Sequence, residues 1–161
     1  MIRGGDGYHG GAGILSASPN GAITIVNTGE IAGGRGDVGG SHVAWRAPSG
    51  APYVSSLVYY DNLIYMVGDV GVLTVVDAAT GERTHQERIG GVYSASPVAA
   101  DGKIYLTNEE GGTTVLAAST TAKKLATNQI EGRTLASLAT AGRAILLRSD
   151  KHLYRIEVGT R

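Results

Sequence analysis

The chain has 161 residues, with 14 basic and 14 acidic side chains, so its formal net charge is zero and nothing in the balance draws it to nucleic acid or an anionic membrane. It has no cysteine, which excludes disulfides and thiolate chemistry, and no apolar run near the roughly 20 residues that span a bilayer as a helix. Its 25 glycines, 17% charged residues and short Val-, Ile- and Thr-rich runs favour sheet and turns, and no stretch sustains a helical period.

The opening residues, "MIRGGDGYHGGAG", lack the apolar core of a signal peptide as they stand. Gly5 to Gly10 match G-x-G-x-x-G, but a dinucleotide loop needs a strand before it and a helix after it, and neither pattern is there. The expectation is a flexible or strand-pairing terminus. A shortened hairpin, "ASPNGAITIV", follows, anchored at Ser18. Arg35-Gly36-Asp37 spells an adhesion tripeptide within glycines, and is expected to be a solvated hairpin loop. "HVAWR" then reads as an outer strand carrying Trp45.

The second copy is the clearest. Tyr53–Tyr59 predicts an inner strand, Asp61-Asn62 a two-residue turn, and Leu63–Val67 the second strand, since Asn tolerates the positive φ such turns require. Gly68-Asp69-Val70-Gly71 turns into a third strand, Val72–Val76. "DAATGE", Asp77 to Glu82, turns into a charged outer strand, Arg83–Ile89. The third copy repeats this with Asp101-Gly102, "NEEGG", Thr113–Ala118 and Lys123–Asn128. The fourth ends at its third strand, His152 to Val158.

Anchored on Ser18, Ser56, Ser96 and Ser137, the copies are spaced by 38, 40 and 41 residues. A period near 40 with several short strands per period is the pattern of β-propeller blades. The fold class is therefore all-β, with blades of four antiparallel strands and about four blades in one domain over residues 1–161. The expected blade bounds are 10–50, 51–91, 92–132 and 133–158.

Residues that suggest chemistry have plainer explanations. Serines 16, 18, 55, 56, 94, 96 and 137 lack any G-x-S-x-G elbow, and their recurrence at blade period points to inner-strand packing and backbone hydrogen bonds. His9, His42, His85 and His152 have no metal-ligand spacing. Asn108 to Gly112 offers two carboxylates, too few for calcium, and reads as an exposed acidic hairpin. No catalytic, cofactor-binding or metal-ligating residue is assigned.

"VVDAATGERTHQERIGGVYSASPVAADGKIYLTNEEGG" resembles the blades of the pyrroloquinoline-quinone-like (quinoprotein-type) β-propeller repeat family. The shared pattern is Asp-x-x-Thr-Gly-Glu, an outer strand, then Ser-Pro-x-x-x-Asp-Gly-x-Ile-Tyr. The resemblance implies an outer-strand tryptophan docked on the next blade. Trp45 fits, whereas His85 departs from it. It also implies seven or eight blades per ring and a periplasmic or secreted location. The family's dehydrogenases use an adjacent cysteine pair, a calcium site and a catalytic aspartate. A chain without cysteine is expected to keep the repeat without the quinone cofactor.

About four blades leave exposed blade faces unless the ring is completed. A second copy could complete it as a two-fold dimer, the chain could be part of a longer propeller, or four blades could close alone. Met1-Ile2-Arg3 or the residues around Tyr8 are expected to add as an outer strand beside His152–Val158, within the chain or across to a partner. The expected function is a non-catalytic binding or scaffold protein, self-associating through blade faces, with a protein or extracellular polymer as ligand. The alternatives are a fragment or degenerate relative of a quinone-dependent dehydrogenase, or a self-assembling structural subunit.

Overall fold

The computed structural model describes residues 50–157 in full; before them it describes four strand backbones and the Trp45 side chain. Those four strands are β1 (Leu15–Ser18), β2 (Gly21–Thr24), β3 (Ile31–Gly33) and β4 (Trp45–Ala47), paired antiparallel as β1-β2 and β3-β4. Sheet II follows, with β5 (Val58–Tyr60), β6 (Leu63–Val67), β7 (Val72–Asp77) and β8 (Arg83–Arg88). Sheet III contains β9 (Val98–Ala100), β10 (Lys103–Thr107), β11 (Gly112–Ala117) and β12 (Lys124–Gln129). Sheet IV contains β13 (Ala139–Ala141), β14 (Ala144–Arg148) and β15 (Leu153–Glu157). Each sheet runs in sequence order with antiparallel neighbours, and the described residues contain no helix.

The predicted turns form for the stated reason. Asp61 and Asn62 both have positive φ (49° and 61°), as do Asp101 and Gly102 (49° and 67°), which matches the twist of the flanking strands. The outer strands β8 and β12 are almost entirely exposed. Both pair with the third strand through a bulge at the same place, after Val75 in sheet II and after Val115 in sheet III.

Two expectations are corrected. The inner strand of sheet II is Val58–Tyr60 and does not begin at Tyr53. The backbone before it bonds to side chains instead of a ladder: the Tyr53 and Val54 amides donate to Asp69 Oδ1 and the Ser56 amide to Ser96 Oγ. In the first copy, Ser18 lies opposite Gly21, as Tyr60 lies opposite Leu63 and Ala100 opposite Lys103. Ser18 is thus the counterpart of Tyr60 and not of Ser56. The glycine motif, the Arg35–Asp37 loop and the amino-terminal strand lie outside the described residues.

Strand alternation gives sheet II two buried faces. Leu63, Tyr65, Val67, Leu73 and Val75 pack with Ile104, Leu106 and Leu116 of sheet III and with Tyr93. Ile64, Met66 and Val76 pack with Leu57 on the other face, against Trp45.

The two contacts are built differently. Trp45 Nε1 donates to the Ala78 carbonyl at 2.9 Å, and its ring lies so close over Gly81 that a Cβ there would come within 2.5 Å. This is the tryptophan docking that the family resemblance implied. At the next contact His85 stands on the outer strand, opposite Val75. There the phenol of Tyr65 reaches the corresponding turn and donates to the Ser119 carbonyl at 3.4 Å. Burial, with the Asp61 charge as a smaller cause, pushes the Tyr65 pKa up to about 12, so this phenol stays a donor at any physiological pH. Without an indole above it, the residue in the place of Gly81 carries a side chain: Ala122, buried, at φ 45°.

Gly81→Ala is expected to cost about 2 kcal/mol or more, since a Cβ must adopt the left-handed region and displace Trp45. Ala122→Gly, which relieves the same backbone conformation but gives up one buried methyl, is expected to stay within about 1 kcal/mol of wild type. Thermal unfolding followed by circular dichroism checks both; equal losses at the two positions would contradict the assignment.

Candidate functional site

The turns between second and third strands gather at one end of the sheets, with the segments that lead into each sheet. Gly68–Gly71, Asn108–Gly111 and Ser149–His152 close through Gly68 N to Val72 O, Asn108 N to Gly112 O and Ser149 N to His152 O, at 2.8–2.9 Å. Gly71 and Gly111 have φ of 73° and 83°, and a side chain on either would collide with backbone of the segment leaving the sheet. That close approach lets Ile89 N donate to Gly71 O and Ile130 N to Gly111 O.

The first two of these turns also hold the lead-in segment of the following sheet. The Tyr93 amide donates to Asp69 O and the Thr134 amide to Glu109 O, both at 3.0 Å. In return the Glu109 amide donates to Val92 O and the Asp150 amide to Arg133 O. The result is a main-chain hydrogen-bond relay passing from sheet to sheet. A side-chain relay runs beside it: Ser56 N donates to Ser96 Oγ at 2.9 Å, and Ser96 N to Ser137 Oγ at 2.8 Å. These serines bridge residues 40 and 41 apart, the repeat period itself. Ser55 Oγ donates within sheet II, to Val67 O at 3.0 Å.

Carboxylates recur at the same period and serve the same end. Asp69 Oδ1 accepts the Tyr53 and Val54 amides, and Asp150 Oδ1 accepts the Arg133 amide at 2.9 Å. Glu109 accepts from the Ser94 hydroxyl and from Arg133 Nε at 3.1 Å, and Arg133 Nη2 forms an ion pair with it. The Ser94 hydroxyl and then the Arg133 guanidinium hold the Glu109 carboxyl below its ordinary range. Asp77, from the Asp-x-x-Thr-Gly pattern, accepts the Ala79 and Thr80 amides at 2.9 and 2.8 Å, and the Thr80 amide is the first cause of its lowered pKa. It is a turn builder.

The other candidates are not brought together. His85 sits on β8, with Nε2 3.6 Å from Glu87, and His152 lies against Tyr154 in sheet IV, ring centres 5.7 Å apart. His9 and His42 lie outside the described residues. Among the described residues no group of three His, Asp or Glu side chains could hold a metal ion. The acidic hairpin at Asn108–Gly112 is no solvated turn, because Glu109 is the clamp between sheets III and IV. Its signal was in the sequence, as an acid at 69, 109 and 150 in step with the serines.

Two open cavities flank sheet IV. One of about 350 Å³ is lined by Arg133, Leu135, Ala136, Arg148, Ser149 and Asp150. The other, about 750 Å³, lies between sheets III and IV, with Lys103 and Tyr105 on one wall and Ile145 and Ile156 on the other. At the preceding contact the turn carrying Ala122 and Ser119 occupies the corresponding space.

Two outcomes are expected from this geometry. Ser96→Ala removes the acceptor of the Ser56 amide and should cost about 1 kcal/mol, lowering Tm by roughly 3 °C, while Ser96→Thr restores most of it. Glu109→Gln should lower Tm at neutral pH. A carboxyl with a depressed pKa stabilises fully above its ordinary range, and that contribution is lost as pH falls through the depressed value. The Tm difference between wild type and Glu109→Gln should therefore close on acidification; a difference independent of pH would remove Glu109 from the clamp.

No family model matches the chain. A tetrathionate hydrolase of Acidithiobacillus ferrooxidans is 40% identical over 68 residues, 42% of this chain but 13% of that protein. Among solved structures, BamB from Moraxella catarrhalis superposes with a TM-score of 0.64 at 17% identity, over 89% of this chain and 47% of that one. The computationally designed Ika4 protein gives 0.71 at 15% identity, over 94% of both chains. A quinohemoprotein alcohol dehydrogenase from Pseudomonas putida gives 0.62 at 14%, over 83% of this chain and 27% of that one. The chain thus spans about half of BamB and a small part of either enzyme. Its meandering antiparallel sheets, three of them with three or four strands among the described residues and stacked at a period near 40 residues, have the fold of the pyrroloquinoline-quinone-like β-propellers.

Proposed function

We propose that the chain is a non-catalytic propeller scaffold that presents its turn-bearing face to a protein or extracellular polymer and completes its ring with a second copy. The observation that carries this reading is how the polar groups on that face are used. The serines at 56, 96 and 137 and the acids at 69, 109 and 150 are the residues from which a site would be built. Five of them lend a side-chain oxygen to the bonds that hold lead-in segments and neighbouring sheets together, and Ser56 joins through its amide. A designed chain of the same extent crystallises with the same fold. The family resemblance supports a periplasmic or extracellular location for such a scaffold.

A second reading, a piece or degenerate relative of an enzyme, is favoured by the 68-residue match to the tetrathionate hydrolase. Titration with pyrroloquinoline quinone and calcium, followed by absorbance and protein fluorescence, separates the two. The scaffold is expected to give no saturable change. A saturable, calcium-dependent change would establish a cofactor site and discard the non-catalytic reading.

A further inference from the structure

At the turn-bearing end, the contact between sheets II and III differs in chemistry from the contact between sheets III and IV. The bonds Tyr93 N to Asp69 O and Thr134 N to Glu109 O set the correspondence between the two. Around the second bond the surface positions are charged: Glu110, Glu131 and Arg133. Around the first the same positions hold Val70, Gly90 and Val92. One repeat has exchanged three charges for two valines and a glycine.

Exposed apolar side chains collect there. Val70 is 60% exposed, Val54 51% and Val92 46%. All three sit beside Asp69: the Val54 amide donates to its Oδ1, Val70 follows it in sequence, and Val92 precedes Tyr93, whose amide donates to its carbonyl. A single exposed valine needs no explanation, but three around one turn form a patch, and a β-branched residue is an unusual choice for a turn position. Gly90, two residues before Val92, adds no side chain to this surface, and open space lies where one would stand. The patch is bordered by charge. Glu110 is exposed, and its carboxylate has no hydrogen bond or ion pair with a described residue. It adjoins Glu109, whose amide donates to Val92 O. Burial, and less strongly the Glu110 charge, push the Tyr93 phenol pKa up, which places that charge close to the patch. Glu109 and Glu131 are already paired, with Arg133 and Lys151.

We propose that this patch docks a segment of a partner protein in which an apolar side chain stands beside a lysine or arginine. The apolar group covers Val54, Val70 and Val92, and the cation pairs with Glu110. This rests on the scaffold reading above and gives its partner a location and a chemistry. A protein segment is favoured over a polysaccharide because valine side chains offer nothing to the hydroxyls they would desolvate, and a buried hydroxyl without a partner is costly. The unpaired Glu110 carboxylate selects a cation at the edge, where such a pair adds specificity and speeds encounter.

The test is selection of a random phage-displayed peptide library on the full chain, followed by fluorescence titration of synthetic copies of the selected peptides. These are expected to carry a large apolar residue beside a lysine or arginine. Val70→Asn, at an exposed turn position that suits asparagine at least as well as valine, should weaken their binding about 10-fold, and Glu110→Lys about 5-fold, with unchanged circular dichroism spectra. Arg88→Glu, at the end of the outer strand of sheet II, should not weaken it. Selection of no peptide, of acidic peptides, or of peptides whose affinity Val70→Asn leaves unaltered overturns the inference. Peptides that bind the turn-bearing face without Val70 leave the scaffold reading standing, and the quinone titration tests that reading by itself.

Discussion

Strand Leu63–Val67 is buried along its whole length, on both faces, and the rest of the structure follows from that requirement. A single sheet has no means of covering two apolar faces, so sheet II exists only between neighbours. Ile104, Leu106 and Leu116 cover one face and Trp45 helps to cover the other. The apolar side chains supply most of the energy of these contacts, at roughly 25 cal/mol for each Å² withdrawn from water. They leave the angle between sheets loosely set. The two polar relays set it, since a hydrogen bond fixes distance and direction where burial fixes neither.

The contacts trade one kind of adhesion for another along the chain. Between sheets II and III an aromatic ring, Tyr93, fills the space near the turns, and Val92 stands in the place of Arg133. Between III and IV the smaller Thr134 leaves less apolar contact, and the Glu109–Arg133 pair with Ser94 supplements it. Toward the rim, sheet III sends a turn into the II/III groove, where the Tyr65 phenol meets Ser119 and Ala122 packs in the cluster. Near the turns, then, the II/III contact relies on an aromatic ring and the III/IV contact on a charged pair.

Much of this was legible in the residues, and the reasons are local. Asp61-Asn62 and Asp101-Gly102 announce their turns because few residues accept positive φ, and β6 was placed to the residue by its neighbours. The spacing of Ser56, Ser96 and Ser137 was visible, and so was their role as backbone partners. What escaped is what depends on three dimensions. Tyr53–Leu57 has strand composition, yet its amides are taken by Asp69 and Ser96 from outside the ladder. Ser18 copied the motif but not the register, which only the pairing with Gly21 shows. Glu109 looked like a solvated turn residue because the arginine that pairs with it comes 24 residues later. Tyr65 could not be foreseen as the stand-in for a tryptophan, since its donor role needs a partner 54 residues away.

The unlike pairs at the two docked turns bear on how a chain of near-copies assembles in the right order. If the sheets were interchangeable, any one could stack on any other, and wrong stacking orders would compete with the correct one. Trp45 fits only over a turn that lacks a side chain, which Gly81 provides and Ala122 does not. Tyr65 finds its acceptor at Ser119. The two contacts act as differently cut keys. Sheet III offered to Trp45 would meet a methyl group, so shuffled stacking is penalised at its first contact. Erosion of the repeat consensus, seen as decay when copies are compared by eye, is here what tells one copy from the next.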